Sequence, residues 1–157
     1  MQKVTPCLWY DTQAEEAARF YVSVFRDGRM GDIMRHTEAG PGGTGSVFTV
    51  EFEIAGRHYL ALNGGPMFKF NESVSLIVDC EDQREVDYYW DRLREGGGSE
   101  QACGWLKDRF GLSWQVVPRR MVELLKDADR AKAGRVMSAM MEMVKIDIAE
   151  LEQAAKG

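Results

Sequence analysis

The side chains able to do chemistry are spread thinly along this chain. His36 and His58 each stand alone on or near strand-like segments, where a lone imidazole is ordinarily surface or already hydrogen-bonded. Cys7, Cys80 and Cys103 are odd in number and widely spaced, so they form neither a zinc spacing nor a paired framework and read as small buried hydrophobes. Cys103, beside Gly104, has the best claim to exposure, though not to reactivity. Glu51 and Glu53 share a strand face and could work as paired acids, although a solvated face or an interface rim is the plainer reading. What remains is a polar set with no strong acid or base: Asn63, Ser73, Ser75 and Gln115. In residues 112–117, Leu112, Trp114 and Val116 alternate with Ser113, Gln115 and Val117. If Trp114 anchors a core, Gln115 looks the other way. The same period puts Tyr59, Ala61 and Asn63 on one face of an earlier strand, and Ser73, Ser75 and Ile77 on one face of another. Brought together, these residues make an apolar wall with a few amides and hydroxyls, which suits a neutral or weakly polar small molecule. No pair among them both holds and moves a proton near neutral pH, so acid–base catalysis would need a residue from a loop or a partner chain.

The elements that must position these residues come in a repeated order. Residues 3–10 read as a strand, and Asp11-Thr12 offers cap chemistry for a helix over 11–26 with a stripe of Ala14, Ala17, Ala18, Tyr21, Val22 and Phe25. Three strands follow, the last two forming a hairpin about Ala55-Gly56. After a link at 64–71, a strand over 72–80 leads to a helix over 82–95 with Val86, Tyr89, Trp90 and Leu93 as its buried stripe. Gly96-Gly97-Gly98 ends that helix. Short strands then run to residue 117, with Asp108-Arg109-Phe110-Gly111 as the last turn and Pro118 as its stop. The expectation is one α+β domain over 1–157: module 1 at 3–63, module 2 at 72–118, each βαβββ, and a helical tail at 119–157. The eight strands are expected to form one mixed sheet, with the helices at 11–26 and 82–95 outside. The tail helices, near 120–127, 129–143 and 146–155, carry apolar faces with no obvious partner in the chain. The glycine-rich loop at 39–45 is not followed by a helix, which argues against a phosphate cradle.

Composition narrows the classes further. The 157 residues are 45% hydrophobic with four Trp, enough for a real core. A net charge of −5 with scattered basic residues argues against nucleic acid as a partner. No apolar run approaches a membrane span, residues 1–6 lack a signal-peptide core, and the unpaired cysteines point to a reducing cytoplasm.

Several of these stretches, taken in order, are familiar. Asp11 with Glu15-Glu16-Ala-Ala-Arg-Phe-Tyr21, Val50-Glu-Phe52, Leu60-Ala-Leu-Asn-Gly-Gly-Pro66, Phe68-Lys-Phe70 and Gly104-Trp-Leu-Lys-Asp-Arg-Phe-Gly-Leu-Ser-Trp-Gln115 resemble the PhnB-like family, often labelled demethylubiquinone-methyltransferase-like. That family lies in the glyoxalase/bleomycin-resistance, or vicinal oxygen chelate, superfamily. The resemblance covers about residues 3–126. It implies paired βαβββ modules forming an open mixed β-barrel or sheet with a concave pocket, and a homodimer, to which the apolar tail would contribute. Metal-dependent relatives place ligands on four strands. Those positions fall here near Val4 or Pro6 and on Asn63, Ser73 and Gln115, with no imidazole and no carboxylate, a poor set for a divalent ion. No metal or other cofactor is therefore expected. The methyltransferase label finds no glycine-rich loop between a first parallel strand and a helix, as S-adenosylmethionine would need. Two readings follow: a small-molecule-binding protein or metal-independent enzyme anchored by Asn63, Ser73, Ser75 and Gln115, or a metal-dependent lyase, isomerase or dioxygenase of the superfamily.

Overall fold

The computed structural model describes residues 2–157. In chain order the elements are β1 (Cys7–Tyr10), α1 (Ala14–Val24), β2 (Arg29–Arg35), β3 (Val47–Ile54), β4 (Arg57–Asn63), β5 (Ser75–Cys80), α2 (Gln83–Leu93), β6 (Ser99–Glu100), β7 (Trp105–Lys107), β8 (Ser113–Pro118), α3 (Arg119–Leu125), α4 (Arg130–Met141) and α5 (Ile148–Lys156). They pack as two compact units, one ending at Phe70 and one spanning Asn71–Gly157. Among the described residues, no helix is long and apolar enough to cross a membrane.

The strand–helix–three-strand order occurs twice, and so does the sheet order: β1-β4-β3-β2 in the first unit and β5-β8-β7-β6 in the second. The eight strands form two four-stranded sheets rather than one sheet of eight. The reason lies in the crossover. In each module the helix returns the chain so that the first strand pairs in parallel with the last, β1 with β4 and β5 with β8. The other neighbours are antiparallel, so each module's ladder is complete within itself.

In the first unit, α1 buries Ala14, Ala17, Ala18, Phe20, Tyr21 and Val24. Beneath it lie Val50, Phe52, Ile54 and Ala61, all nearly solvent-free. The alanines let the helix sit close to the sheet. Phe52 stacks on Tyr59 at 5.3 Å, and the Tyr10 and Tyr21 hydroxyls meet at 3.0 Å. Each fully buried aromatic or large aliphatic side chain of this kind contributes about 1.5–3 kcal/mol. The β3–β4 hairpin turns on Ala55 and Gly56 at φ 50° and 71°, and the Asp27 carboxylate accepts from both of their N–H groups at 3.0 and 2.9 Å. The first strand and first helix both start later than the sequence expectation, and the helix ends at Val24 rather than at 26. The first strand begins at Cys7, not at residue 3. The first helix begins at Ala14, and Asp11 and Thr12 do not cap it: its N-cap position is Gln13, without a side-chain cap bond.

In the second unit, α2 buries Val86, Trp90 and Leu93 on the side of Cys80, Trp114 and Val116. Asp82 caps it, accepting from Glu85 N–H at 2.9 Å, while the Glu85 carboxylate accepts from Glu81 N–H at 2.7 Å. The tail corrects another expectation, because its apolar faces do find partners within the chain. Met121, Leu124, Val136, Met143, Ile146, Leu151 and Ala155 form one cluster, with Val117 packed against it. Backbone bonds seam it to the turn before β7: Cys103 N–H to Met143 O and Gly104 N–H to Val144 O, both 2.8 Å. The Gln83 amide brackets the approach to α5, donating to Ile146 O at 3.0 Å and accepting from Ile148 N–H at 2.9 Å. Three short amphipathic helices cannot hide their stripes singly, but they can hide them against one another.

Candidate functional site

The second unit presents one face of its sheet to α2; the other, called the open face, is covered only in part, at Ser113 and where Val117 packs on the tail cluster. Leu106, Trp114 and Val116 are buried on the α2 side. By the alternation of strands, the open side carries Ser75 and Ile77 of β5, Ser113 and Gln115 of β8, and Trp105 and Lys107 of β7. In register these form two cross-strand rows, Ile77–Gln115–Trp105 and Ser75–Ser113–Lys107. Gln115 Nε2 donates to Ser75 Oγ at 2.9 Å. Ile77 is 63% exposed, and Trp105 and Gln115 are half-buried. Ser113 is fully buried, and its Oγ has no hydrogen-bond partner among the described residues.

A single carboxylate sets β8 in place. Asp108, 3% exposed, accepts from Phe110 N–H at 2.9 Å and Leu112 N–H at 3.1 Å through Oδ1, and from Trp114 Nε1 at 2.9 Å through Oδ2. Gly111, at φ 89°, supplies the left-handed position in that turn. The turn and the buried indole together fix which way Gln115 points.

Two of the four candidate polar residues lie elsewhere. Ser73 precedes β5, is exposed, and is held in an Asx-type turn: its Oγ and N–H both donate to Asn71 Oδ1, at 2.6 and 2.9 Å. It therefore shares no strand face with Ser75. Asn63 lies on the helix side of the first sheet. Its Oδ1 accepts from Ala14 N–H at 2.8 Å, and its Nδ2 donates to Val47 O at 3.1 Å. It is the cap that α1 lacks in its own sequence. The cause is parity: Ala61 lies solvent-free on the α1 side, so Asn63 faces that way too.

The open face of the first unit carries Glu51, Glu53 and His58, beside a groove of about 280 Å³ that Arg29 and Gly31 also line. Arg29 donates to both Glu53 oxygens at 2.9 Å, and His58 Nε2 stands 3.7 Å from Glu53. Glu53 is thus paired with Arg29, whereas Glu51 is exposed. His36 is buried and packs on Phe48 at 4.6 Å. The cysteines divide. Cys80 is solvent-free, and burial, reinforced by the nearby Glu85, Asp79 and Asp82, pushes its thiol up to about 12. Cys7, expected to be buried, is exposed at the start of an edge strand, though partial burial of the thiol raises its pKa. Cys103 is half-buried at φ 58°.

The donor set does not fit a divalent ion at the positions that the resemblance points to. Val4 and Pro6 offer no side-chain donor, the Asn63 amide is occupied at both ends, Ser73 is closed into its own turn, and Gln115 is a neutral amide. Among the described residues, no three His, Cys, Asp or Glu side chains converge as a metal site. Sequence reasoning passed over Trp105 and Lys107 on this face, and over Glu72, which pairs with Lys107. The signal for the first two was there, since a hairpin closing on 108–111 puts residues 105 and 107 beside 115 and 113.

The family model for 3-demethylubiquinone-9 3-methyltransferase matches residues 2–117. The PhnB protein of Bacillus cereus is similar at 32% identity, over 74% of this chain and 99% of that one, with a TM-score of 0.67. A Pseudomonas aeruginosa protein at 18% identity, covering 75% and 98% of the two chains with a TM-score of 0.60, shares the fold. So does the fosfomycin resistance protein FosX of Mesorhizobium loti, at 14% identity, 74% and 91% coverage and a TM-score of 0.52. No curated protein matches the chain. The repeated βαβββ module, the matched span and the likeness to PhnB lead to one conclusion: the chain belongs to the 3-demethylubiquinone-9 3-methyltransferase, or PhnB-like, family.

Proposed function

We propose that the chain is a small-molecule-binding protein or metal-independent enzyme whose ligand seats on the open face of β5, β8 and β7. Ser75 and Gln115 are its polar anchors, and Ile77 and Trp105 its apolar wall. The observation that carries this is the Gln115–Ser75 pair, half-buried beside an isoleucine left 63% exposed. The pair is only partly used. Gln115 keeps its Oε1 acceptor and one N–H, and the Ser75 hydroxyl hydrogen remains free to donate. A few convergent polar groups on an apolar floor are what a small-ligand site needs. Metal chemistry has no support in the donor set. Methyl transfer has none in the 11–13 segment between β1 and α1, which contains no glycine. A cytoplasmic setting fits three unpaired thiols. The homodimer implied by the resemblance remains part of this reading: Met137, Met141 and Val144 of the tail stay 43%, 63% and 45% exposed, an apolar patch for a second copy to cover.

The test is Gln115→Leu. A fragment library is screened against the wild type by thermal shift, and each hit is measured by calorimetry on both proteins. The expected result is affinity weakened by about 1–3 kcal/mol, the scale of a lost buried hydrogen bond, with an unchanged circular dichroism spectrum. Equal affinities for every hit would take Gln115 out of the site.

A further inference from the structure

An anion is already held by Lys107 of the second unit. Glu72, in the segment ahead of β5, forms an ion pair with Lys107 of β7, and its Oε1 also accepts from Gln101 Nε2 at 3.4 Å. Gln101 is bound to the backbone of Trp105, its N–H donating to Trp105 O at 2.9 Å. In the order β5-β8-β7-β6, β8 lies between β5 and both of these partners. To meet them, the Glu72 side chain must reach across the β8 end of the sheet. There β8 begins with Ser113, paired in register with Ser75 on one side and Lys107 on the other. Ser113 is fully buried, and it is the one buried side-chain polar atom among the described residues that lacks a partner. Such a group is costly unless something satisfies it, so it needs an explanation.

We propose that Lys107, Gln101 and Ser113 form a carboxylate subsite and that Glu72 is the chain's own stand-in for the ligand's carboxylate. The proposal rests on the open-face reading above and names the ligand class for it: a monocarboxylate with an apolar body. The incoming carboxylate displaces Glu72 from the Lys107 ammonium and, seated deeper than the Glu72 carboxylate that leaves Ser113 Oγ unpartnered, accepts from the Ser113 hydroxyl as well. The apolar body lies along Ile77 and Trp105. Displacement is easy because the Glu72 and Lys107 side chains are 49% and 30% exposed, and partly solvated ion pairs are weak. Glu72 thus acts as a built-in competitor that lowers apparent affinity by the fraction of time it occupies the subsite.

The experiment compares benzoate with its neutral isostere benzamide, titrated by calorimetry into the full chain at low salt. The proteins are wild type, Glu72→Gln, Lys107→Met and Gln115→Leu, each checked by circular dichroism. Wild type should prefer benzoate. Glu72→Gln should bind benzoate about ten-fold more tightly, as removal of an intramolecular competitor requires. Lys107→Met should lose the preference for benzoate over benzamide. Benzoate affinity unmoved by Glu72→Gln overturns the proposal; that variant alone decides if Lys107→Met does not fold. If both probes bind all variants alike except Gln115→Leu, the carboxylate subsite falls and the open-face reading stands. If neither probe binds wild type or Glu72→Gln, the subsite falls. The open-face reading is then judged by the fragment screen alone.

Discussion

Asp108→Ala removes one carboxylate and strips a partner from three donors at once. Two of those donors, Leu112 N–H and Trp114 Nε1, belong to residues only 2% exposed. Phe110 N–H is nearer the surface and can turn to water. A hydrogen bond to a charged acceptor is worth about 1.5–3 kcal/mol, and a buried donor left unpaired costs about 1–3 kcal/mol. Against this, deleting the carboxylate removes the desolvation penalty of a buried charge, several kcal/mol in size, so the three bonds cannot simply be added. Counting the two buried donors as the lasting loss gives a destabilisation of about 3–5 kcal/mol. That is a large part of the 5–15 kcal/mol of a typical domain. Asp108→Asn is a finer probe. Its oxygen can still serve the two backbone amides, but its NH₂ then faces the indole N–H, donor against donor, which costs about 2 kcal/mol. Urea unfolding followed by Trp fluorescence reads both, the midpoint falling while the slope holds. Replacing Trp114 with Phe deletes the opposing donor, so the Asp108→Asn penalty should shrink in that background, a coupling that a double-mutant cycle isolates. If Asp108→Ala lies within about 1 kcal/mol of wild type, or if Asn and Asp are equal in both backgrounds, Asp108 does not organise β8 and the argument fails.

The remaining predictions concern other parts of the chain. Asn63→Ala should cost about 1–2 kcal/mol of stability, as the loss of a helix cap does, and leave ligand affinity on the second unit unchanged; the reverse pattern would return Asn63 to the site. Ala55→Gly should raise the melting temperature slightly, because a left-handed alanine costs about 1–2 kcal/mol and the glycine entropy penalty offsets only part of it; a lower melting temperature contradicts this. The Cys80 thiol is raised in the folded chain from its ordinary 9.0 to about 12, so its contribution to stability is complete below pH 9.0 and is lost as pH climbs from there to about 12. Cys80→Ala should flatten the alkaline limb of stability against pH over that window, and an unchanged limb would mean that another group sets it. Met141→Glu should shift the proposed dimer toward monomer in light scattering at micromolar concentration, whereas deleting the tail would expose the Leu124–Ile146 cluster and confound the measurement.

How much of this was legible in the sequence depended on whether a residue announced its side. On β8 it did. Trp114 is too large and too close to a tight turn to be anything but core, so parity sent Gln115 to the other face. On β4 the signal pointed the wrong way. Leu60 and Leu62 look like the core side of that strand, and Tyr59, Ala61 and Asn63 like the open one. Yet Ala61 lies under α1, whose own stripe is Ala14, Ala17 and Ala18. Close helix–sheet packing selected the small residue for the buried face and left the leucines half-buried on the other. Side-chain size on the helix was the missing half of the argument, and it places Asn63 within reach of a bare helix start. The misreading of Ser73 is local. Alternation runs unbroken from Ser73 to Ile77, but the Asn71 carboxamide offers the backbone a turn that competes with the ladder, and the turn won. In the tail, the amphipathic stripes were readable but their partners were not, because nothing in three short helices says that they close on each other rather than on a second chain.

Glu72 shows a different limit. Its charge and its place before a strand suggest a solvated loop, and nothing near it in sequence names Lys107 or Gln101, 35 and 29 residues away. Only the register of a five-residue hairpin against a parallel first strand brings the three together. A sequence reading that stops at motifs therefore finds the proposed anchors Ser75 and Gln115, which lie on strands of regular alternation, and misses the charge proposed to select among ligands, which arrives from a loop. The two kinds of residue also differ in what they can tolerate. Ser75 and Gln115 are held in strands, whereas the Glu72 side chain is half-exposed. That difference is why the competitor reading predicts a gain of affinity on removing a charge, while a merely structural ion pair predicts none.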